Sequence, residues 1–456
     1  MGADRSRLPP VGPDPAFAFP RIARHALDNG LQVRTIEHMT VPVVTLVLLI
    51  EGGAGSDPRG REGLAAITAD MLDEGTGGLT TIEVSESLAR IGAVYDVDVG
   101  ADATTFMLMT LSRFAVRGAA LLADLIVRPT LAGADFSRVR QLRLDRLRQM
   151  KDLPPAVAER AFLRLMYGDH PYGHLAIGTA AALSATTVDE VTEFHRDAFR
   201  PRAATLVVAG AHSHDDLLAI ARRAFDDWPD AAGDVAALQP PSGQASSSAG
   251  RVVIIPREGA AQSELRIGHL SVARNTPAYH ALLVMNAVLG GQFVSRVNLK
   301  LREEKGYTYG ARTGFDWRRG IAPFSVQASV HTAATADAIR DSLGELEAIR
   351  GPRPPSADEL ELAKASLTRG YPRNFETAQQ VARSVAQLAL YGLPDSYFEE
   401  FVPKVNAVTV DQVSRAAAQY IDPARATTLV VGDHAAIGES LGTLGLGELQ
   451  VLPADV

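Results

Sequence analysis

With no cysteine and eleven histidines, the chain can build a metal site only from His, Asp or Glu, and holds neither a disulfide nor a thiol nucleophile. Two histidine groups are closely spaced. His170-Pro171-Tyr172-Gly173-His174 has the i, i+4 spacing that puts two imidazoles on one helix face, but Pro171 and Gly173 oppose that helix and predict a loop. His212-Ser213-His214, beside Asp215, reads as the cap of a turn or of the next helix. Arg302 and Tyr309 stand seven residues apart in LREEKGYTY, one offering several fixed N–H donors and the other a phenolic O–H. On spacing alone they read as a helix-surface charge and a strand residue half in the core. Gly290-Gly291 reads as a helix C-cap and turn. No H-E-x-x-H, H-x-x-E-H, Walker A or G-x-S-x-G motif occurs.

A chain of 456 residues exceeds one ordinary core, and at about 100 to 200 residues per domain it predicts two to four. The composition, 46% hydrophobic and 21% charged with a mean hydropathy of +0.02, is that of a globular protein. A net charge of -8 and a pI near 5.8 give no basic footprint for a phosphate backbone, so nucleic acid is not an expected partner. No apolar run approaches the ~20 residues that span a bilayer. The most apolar stretch, Val41 to Ile50, contains Pro42 and is strand-sized. The first twenty residues lack the charged-then-apolar order of a signal peptide, which leaves the compartment open.

An internal repeat organises the rest. TVDEVTEFHRDAFRPRAATLVVAG (187–210) resembles TVDQVSRAAAQYIDPARATTLVVG (409–432), an offset of 222 residues (409 − 187) that Pro201 and Pro423 also keep. Each copy ends in a buried strand. Between the halves, AAGDVAALQPPSGQASSSAG (231–250) has the Pro, Gly and Ser content of a flexible linker, dividing the chain into domains at 1–230 and 251–456. Asn29-Gly30 signals a hairpin turn. Val41 to Ile50, Thr104 to Leu111 and Phe324 to Val330 read as strands, and Gly63 to Leu72, Ile82 to Ile91, Ala281 to Leu289 and Glu359 to Thr368 as helices. The expected class is α+β: two homologous domains, each a mostly antiparallel sheet covered by helices.

GLAAITADMLDEGT (63–76) resembles the zinc-binding helix of the pitrilysin/insulinase (inverzincin) peptidases, whose usual form is GLAHFLEHMLFKGT. HPYGHLAIGT (170–179), the arm ending in TLVVAG and LGGQFVSRVNLKLREEKGYTYG (289–310) carry the same resemblance, which spans about Asn29 to Asp433. The frame is kept and the ligands are not. The two histidines of the family motif fall on Ala66 and Asp70, and its general base falls on Ala69. The third ligand, a glutamate shortly before a D-x-P that is here Asp152-Leu153-Pro154, falls on Arg146. A catalytic zinc needs three protein ligands and an open position for water, and alanine ligates nothing. No metal is therefore expected in this chain. Asp70 and Arg146 could instead pair where the metal would sit, or remain two surface charges that never meet.

The resemblance further implies that Arg302 and Tyr309 reach a zinc site from another domain and hydrogen-bond the substrate backbone near the scissile carbonyl, with Tyr307 a weaker candidate on the same face of a regular strand. In family members of this length, an H-x-x-E-H chain pairs with such an R/Y chain, as in mitochondrial processing peptidase and bacterial two-subunit relatives. The glycine loop Gly290-Gly291-Gln292 is short beside the long one of the processing peptidase's non-catalytic subunit. The expected role is thus a non-catalytic subunit, half of a clam-shaped chamber, inactive alone, whose homologous partner holds the zinc and whose substrate is an unfolded peptide. Two other readings stay open: a structural subunit like the core proteins of the cytochrome bc complex, and a self-contained homodimeric peptidase.

Overall fold

The computed structural model describes residues 17–230, 250–447 and 449–453. The linker assigned to 231–250 lies outside them apart from Gly250, as do residues 1–16, 448 and 454–456.

Strands of the first half are β1 (Ala23–Ala26), β2 (Gln32–Glu37), β3 (Val43–Glu51), the short pair β4 (Gly75–Thr76) and β5 (Leu79–Thr80), β6 (Val94–Val99), β7 (Ala103–Leu111) and β8 (Ala204–Gly210). Those of the second are β9 (Arg251–Pro256), β10 (Gln262–Leu270), β11 (Thr308–Phe315), β12 (Pro323–His331), β13 (Thr427–Gly432) and β14 (Leu449–Val451). Among the described residues twelve of them form two six-stranded sheets, ordered β1-β2-β8-β3-β7-β6 and β11-β12-β10-β13-β9-β14, while β4 and β5 pair only with each other. Reversing one list lays five strands of each sheet on one another, with β3 matching β10 and β8 matching β13. The sixth strand differs: β1 is the hairpin partner of β2 and antiparallel to it, whereas β14 arrives from the end of the chain and runs parallel to β9. Otherwise only β2/β8 and β13/β9 are parallel, so both sheets are mostly antiparallel.

The repeat holds at the level of caps. Thr187 and Thr409 each close a capping box, with Glu190 and Gln412, at the start of helices Val188–Ala198 and Val410–Tyr420. Pro201 and Pro423 each open a short 3₁₀ turn into β8 and β13. The Asn29-Gly30 turn joins β1 to β2, with Gly30 at φ +92°, a region that a side chain rarely tolerates.

Helix exchange joins the halves. β3 reads VVTLVLLIE, apolar almost throughout, because both its faces are covered. Leu46, Leu48 and Ile50 pack on residues of the first half's own helices, such as Leu122 and Leu217. Val47 and Leu49 pack with Val381 and Val385 of helix Ala378–Tyr391, which comes from the second half. Reciprocally, helix Pro154–Tyr167 of the first half sets Ala158, Ala161 and Phe162 against Val253, Ile255, Leu429 and Val431 of the second sheet. At ~1.5–3 kcal/mol for each large apolar side chain buried, separating the halves would bare two sheet faces at a cost of many kcal/mol. Polar contacts follow the same seam. Asp102 accepts the Arg319 backbone N–H at 2.8 Å and the Tyr172 hydroxyl, and Tyr167 donates to the Ile321 carbonyl at 2.7 Å.

Candidate functional site

The segment that resembles a zinc helix folds as helix Leu64–Asp70 and continues as a 3₁₀ turn over Leu72–Glu74. Gly63 opens it at φ +101°, where a Cβ would come within 2.9 Å of the Gly178 backbone. Asp57 caps it, accepting the N–H groups of Gly63 at 2.6 Å and Ala65 at 2.7 Å, and its carboxylate also bonds His174 Nε2 at 3.0 Å. The 170–174 segment is the expected loop. His174 staples the helix start, while His170 Nδ1 accepts the Tyr172 N–H at 3.1 Å. His212 and His214 likewise part company: His212 reaches the Ser112 carbonyl, His214 reaches Thr35 Oγ1 at 2.8 Å, and Ser213 between them caps helix His214–Phe225.

Ala66 and Ala69 are buried, their methyls turned into protein. Asp70 does not meet Arg146. Its carboxylate pairs with Arg143, one helical turn earlier on Gly133–Met150, and Arg143 also donates to the Ala176 carbonyl at 3.1 Å. The helical period explains the choice of partner. Val139, Arg143 and Leu147 form one i, i+4 stripe, and Val139 and Leu147 are buried against Leu64 and Ile67 of the neighbouring helix. Arg146 is rotated off that stripe, is exposed, and has no ion pair among the described residues. Two buried methyl groups, a carboxylate already paired and a guanidinium only 13% exposed do not fit a zinc ion, since the cation already at Asp70 would repel a second. Among the described residues, no group of three or more His, Asp or Glu stands close enough to hold a metal.

The Arg302 and Tyr309 segments are anchored by a residue that sequence reasoning passed over. Asn298 is 4% exposed; its Nδ2 donates to the Phe293 carbonyl at 2.7 Å and its Oδ1 accepts the Ala311 N–H at 3.0 Å, tying the glycine loop to β11. The only signal for it in the sequence is one amide in the otherwise apolar and charged run RVNLKL. Arg302 lies on Leu299–Glu304, a stretch of π-helix in which the Lys305 N–H reaches back five residues to the Lys300 carbonyl, and such distortions recur at functional sites. The Arg302 guanidinium lies 4.4 Å over the exposed Phe293 ring, a cation–π contact, and its closest carboxylate contact is Glu303 at 3.4 Å.

β11 is not regular where Tyr309 sits. The register slips between Thr308 and Ala311, and this bulge leaves Tyr309 85% exposed. The expectation that Tyr307 shares its face fails for that reason: Tyr307 is half-buried against the second-half core. Tyr309 is correspondingly not the half-buried strand residue that spacing alone suggests. Gly290 and Gly291 do end helix Tyr279–Leu289, both N–H groups bonding the Asn286 carbonyl, and a Cβ on Gly290 would fall 2.6 Å from the Thr313 backbone nitrogen of β11. The loop is therefore pressed against the strand that carries Tyr309. Near it Phe293, Val294 and Leu299 are exposed apolar side chains. Chemically, this corner offers a guanidinium and a phenol as hydrogen-bond donors, with the Glu303 carboxylate 3.4 Å from the guanidinium.

Residues 32–180 match the family described as Insulinase (Peptidase family M16), and residues 185–367 match the Peptidase M16 inactive domain. A protein of Mycobacterium tuberculosis named as an uncharacterized zinc protease is 25% identical over 92% of this chain and 95% of its own length. The solved structure of a peptidase M16 inactive domain from Pseudomonas fluorescens superposes with a TM-score of 0.82 at 23% identity, covering 91% of this chain and 98% of that one. A protease from Helicobacter pylori superposes at 0.84 with 19% identity, covering 91% and 100%. The matched domains, the coverage of whole relatives and the shared two-sheet fold together mean that this chain belongs to the insulinase-type M16 peptidase family.

Proposed function

We propose that this chain is the non-catalytic subunit of a two-chain peptidase, presenting Arg302 and Tyr309 to a substrate held at the zinc site of a homologous H-x-x-E-H partner. The observation that carries the reading is a contrast within the molecule. At its own motif, ligands are replaced by buried methyls and an Asp70–Arg143 ion pair, while the second half keeps an 85%-exposed tyrosine on a bulge and an arginine on a distorted helix.

The partner would supply the metal and the water it activates. This chain would then bind and orient. Arg302 donates fixed N–H groups to a backbone carbonyl, and Tyr309 donates its O–H to the oxygen on which charge develops. Edge strands β6 and β11 each leave one side unpaired among the described residues, which suits an extended, unfolded peptide that binds through backbone hydrogen bonds with little sequence preference. The exposed apolar residues Phe293, Val294 and Leu299 suit burial against the partner or the substrate.

The test is steady-state hydrolysis of a quenched fluorescent peptide by the reconstituted heterodimer. Losing one preorganised oxyanion donor typically costs about 10² to 10³ in kcat, so Tyr309→Phe lowers turnover by that order with heterodimer content unchanged. Turnover within about twofold of wild type would favour a scaffold like the respiratory core proteins. Peptidase activity of the isolated chain would favour a homodimeric enzyme.

A further inference from the structure

We propose that the cavity between helices Tyr279–Leu289, Ala378–Tyr391 and Tyr397–Asn406 binds a monocarboxylate carrying an aromatic or large apolar body, with Arg274 as the ligand of the carboxylate. The cavity has a volume of about 550 Å³ and shares no lining residue with the Arg302/Tyr309 corner. One of its sides is a single helix face. Gln380, Ser384, Gln387 and Tyr391 recur at helical spacing along Ala378–Tyr391 and line the cavity, while Val381 and Val385 on another face pack with Val47 and Leu49 of β3.

Arg274 lines the cavity, is 7% exposed, and has its backbone N–H fixed on the Arg318 carbonyl at 2.9 Å. Its guanidinium stacks 3.4 Å over the Tyr279 ring and lies 5.5 Å from the Tyr391 ring and 5.4 Å from the Tyr397 ring. Its Nη2 donates to the Tyr397 hydroxyl at 2.8 Å. These tyrosines hold the cation in place without neutralising it. Among the described residues Arg274 has no carboxylate partner and no carboxylate lines the cavity. Its Nε and Nη1 have no acceptor there, and neither nitrogen is sealed from water. A guanidinium held this deep is as a rule paired with an anion. A carboxylate accepting two N–H groups from the planar fork would meet that need.

The lining sets the rest of the ligand. Its second guanidinium, Arg383, is already engaged by Asp96 at 2.6 Å, which leaves one uncompensated charge and so calls for a single negative one. The half-buried rings of Tyr279, Trp317, Tyr391 and Tyr397 offer flat apolar surface to the ligand's body. A phosphate would set further hydrated oxygens against those rings with no second free cation to meet them. Asn374 and Gln387 bring amides that could bond a polar group next to the carboxylate. The same chemistry is found in a free aryl acid and in the C-terminal residue of a peptide, and the site lies within this chain alone.

The experiment follows the fluorescence of Trp317 as the purified full-length chain is titrated at constant ionic strength; the other tryptophan, Trp228, is buried in the first-half core. The probes are N-acetyl-L-phenylalanine, which mimics a peptide end, phenylpropionate, a free acid, and N-acetyl-L-phenylalanine amide, which keeps the body and loses the charge. Both acids should bind saturably at one site, the tighter of them identifying the source, and the amide at least about tenfold more weakly. Arg274→Met should weaken acid binding at least about tenfold, and Arg274→Lys, which keeps charge but not the fork, by a smaller factor. Because Arg274 also packs on three tyrosines, Ser384→Phe is the second variant: Ser384 makes none of those contacts, and the larger ring should fill the cavity and abolish binding at the wild-type melting temperature. Phe17 stacks on Phe375 of the lining with centroids 5.1 Å apart, so a chain without residues 1–16 is titrated as well and should bind as wild type does. Binding seen only after their removal overturns an external ligand. Acid and amide affinities within about twofold of each other, a comparison that needs no variant, or no saturable acid binding to about 10 mM in either chain, overturns the site.

Discussion

Replacing Asn298 with leucine should unlatch the corner that carries Arg302 and Tyr309 while leaving most of the core intact. The substitution deletes both amide bonds and orphans two backbone groups, the Phe293 carbonyl and the Ala311 N–H. They do not cost the same. Phe293 is 60% exposed, so its carbonyl can turn to water, whereas Ala311 is 8% exposed and its N–H is engaged by Asn298. At about 1–3 kcal/mol for a buried group left unpaired, and with leucine regaining part of the burial, the net loss should be about 2 kcal/mol. The assay is urea unfolding followed by the fluorescence of Trp317, which stacks on Phe315 at the end of β11 with ring centroids 4.6 Å apart. Native-state exchange of the Ala311 amide should quicken roughly thirtyfold, the equivalent of that loss through local opening. A loss below about 0.5 kcal/mol with unchanged exchange would refute the latch, because a buried orphan donor cannot be that cheap.

In the reconstituted heterodimer, Arg302→Lys should raise KM as well as lower kcat, since an ammonium on a flexible stem does not reproduce the fixed fork toward a carbonyl; steady-state kinetics on the same fluorescent peptide reads both. The isolated chain should carry no stoichiometric zinc and cleave no peptide, and elemental analysis finding one zinc per chain with chelator-sensitive activity would contradict the assignment of its motif. Asp73 is pushed up to about 6, first by burial and then by Glu74 beside it. A raised carboxyl pKa means the folded state holds a proton that the unfolded state releases between about pH 4 and 6, so the group stabilises least above pH 6. Asp73→Asn should therefore stabilise the protein at pH 7.5 by roughly 1–2 kcal/mol, discounted for the part of the side chain that water still reaches, with the gain vanishing below about pH 4 in urea titrations.

Much of the fold was legible in order and period. The duplicated TVD…P…TLVV segments predicted two similar halves, and the same caps, prolines and strands recur in both. Apolar runs and i, i+4 spacing located the main strands and helices to within a few residues, because those patterns are set by local backbone geometry. The ligating capacity of the 63–76 segment was also a matter of residue type alone. Ala66 and Ala69 lack ligand atoms in any fold.

The rest depended on contacts between distant segments. Which arginine meets Asp70 turned on the rotation of helix Gly133–Met150 against its neighbour, fixed by Val139 and Leu147, and that selected Arg143 over Arg146. A bulge in β11 separated Tyr307 from Tyr309, and a bulge is a register between two strands that neither strand encodes alone. Asn298 became a latch only once the glycine loop and β11 were brought to its two ends. Exchange of helices Pro154–Tyr167 and Ala378–Tyr391 between the sheets left no local trace, since an amphipathic helix shows which face it buries but not which sheet receives it. The sequence by itself determined the two α+β halves and that Ala66 and Ala69 offer no ligand atoms, because those follow from local pattern and residue chemistry. Tertiary packing alone decided which partners meet, because burial is non-directional and is resolved only when the surfaces come together.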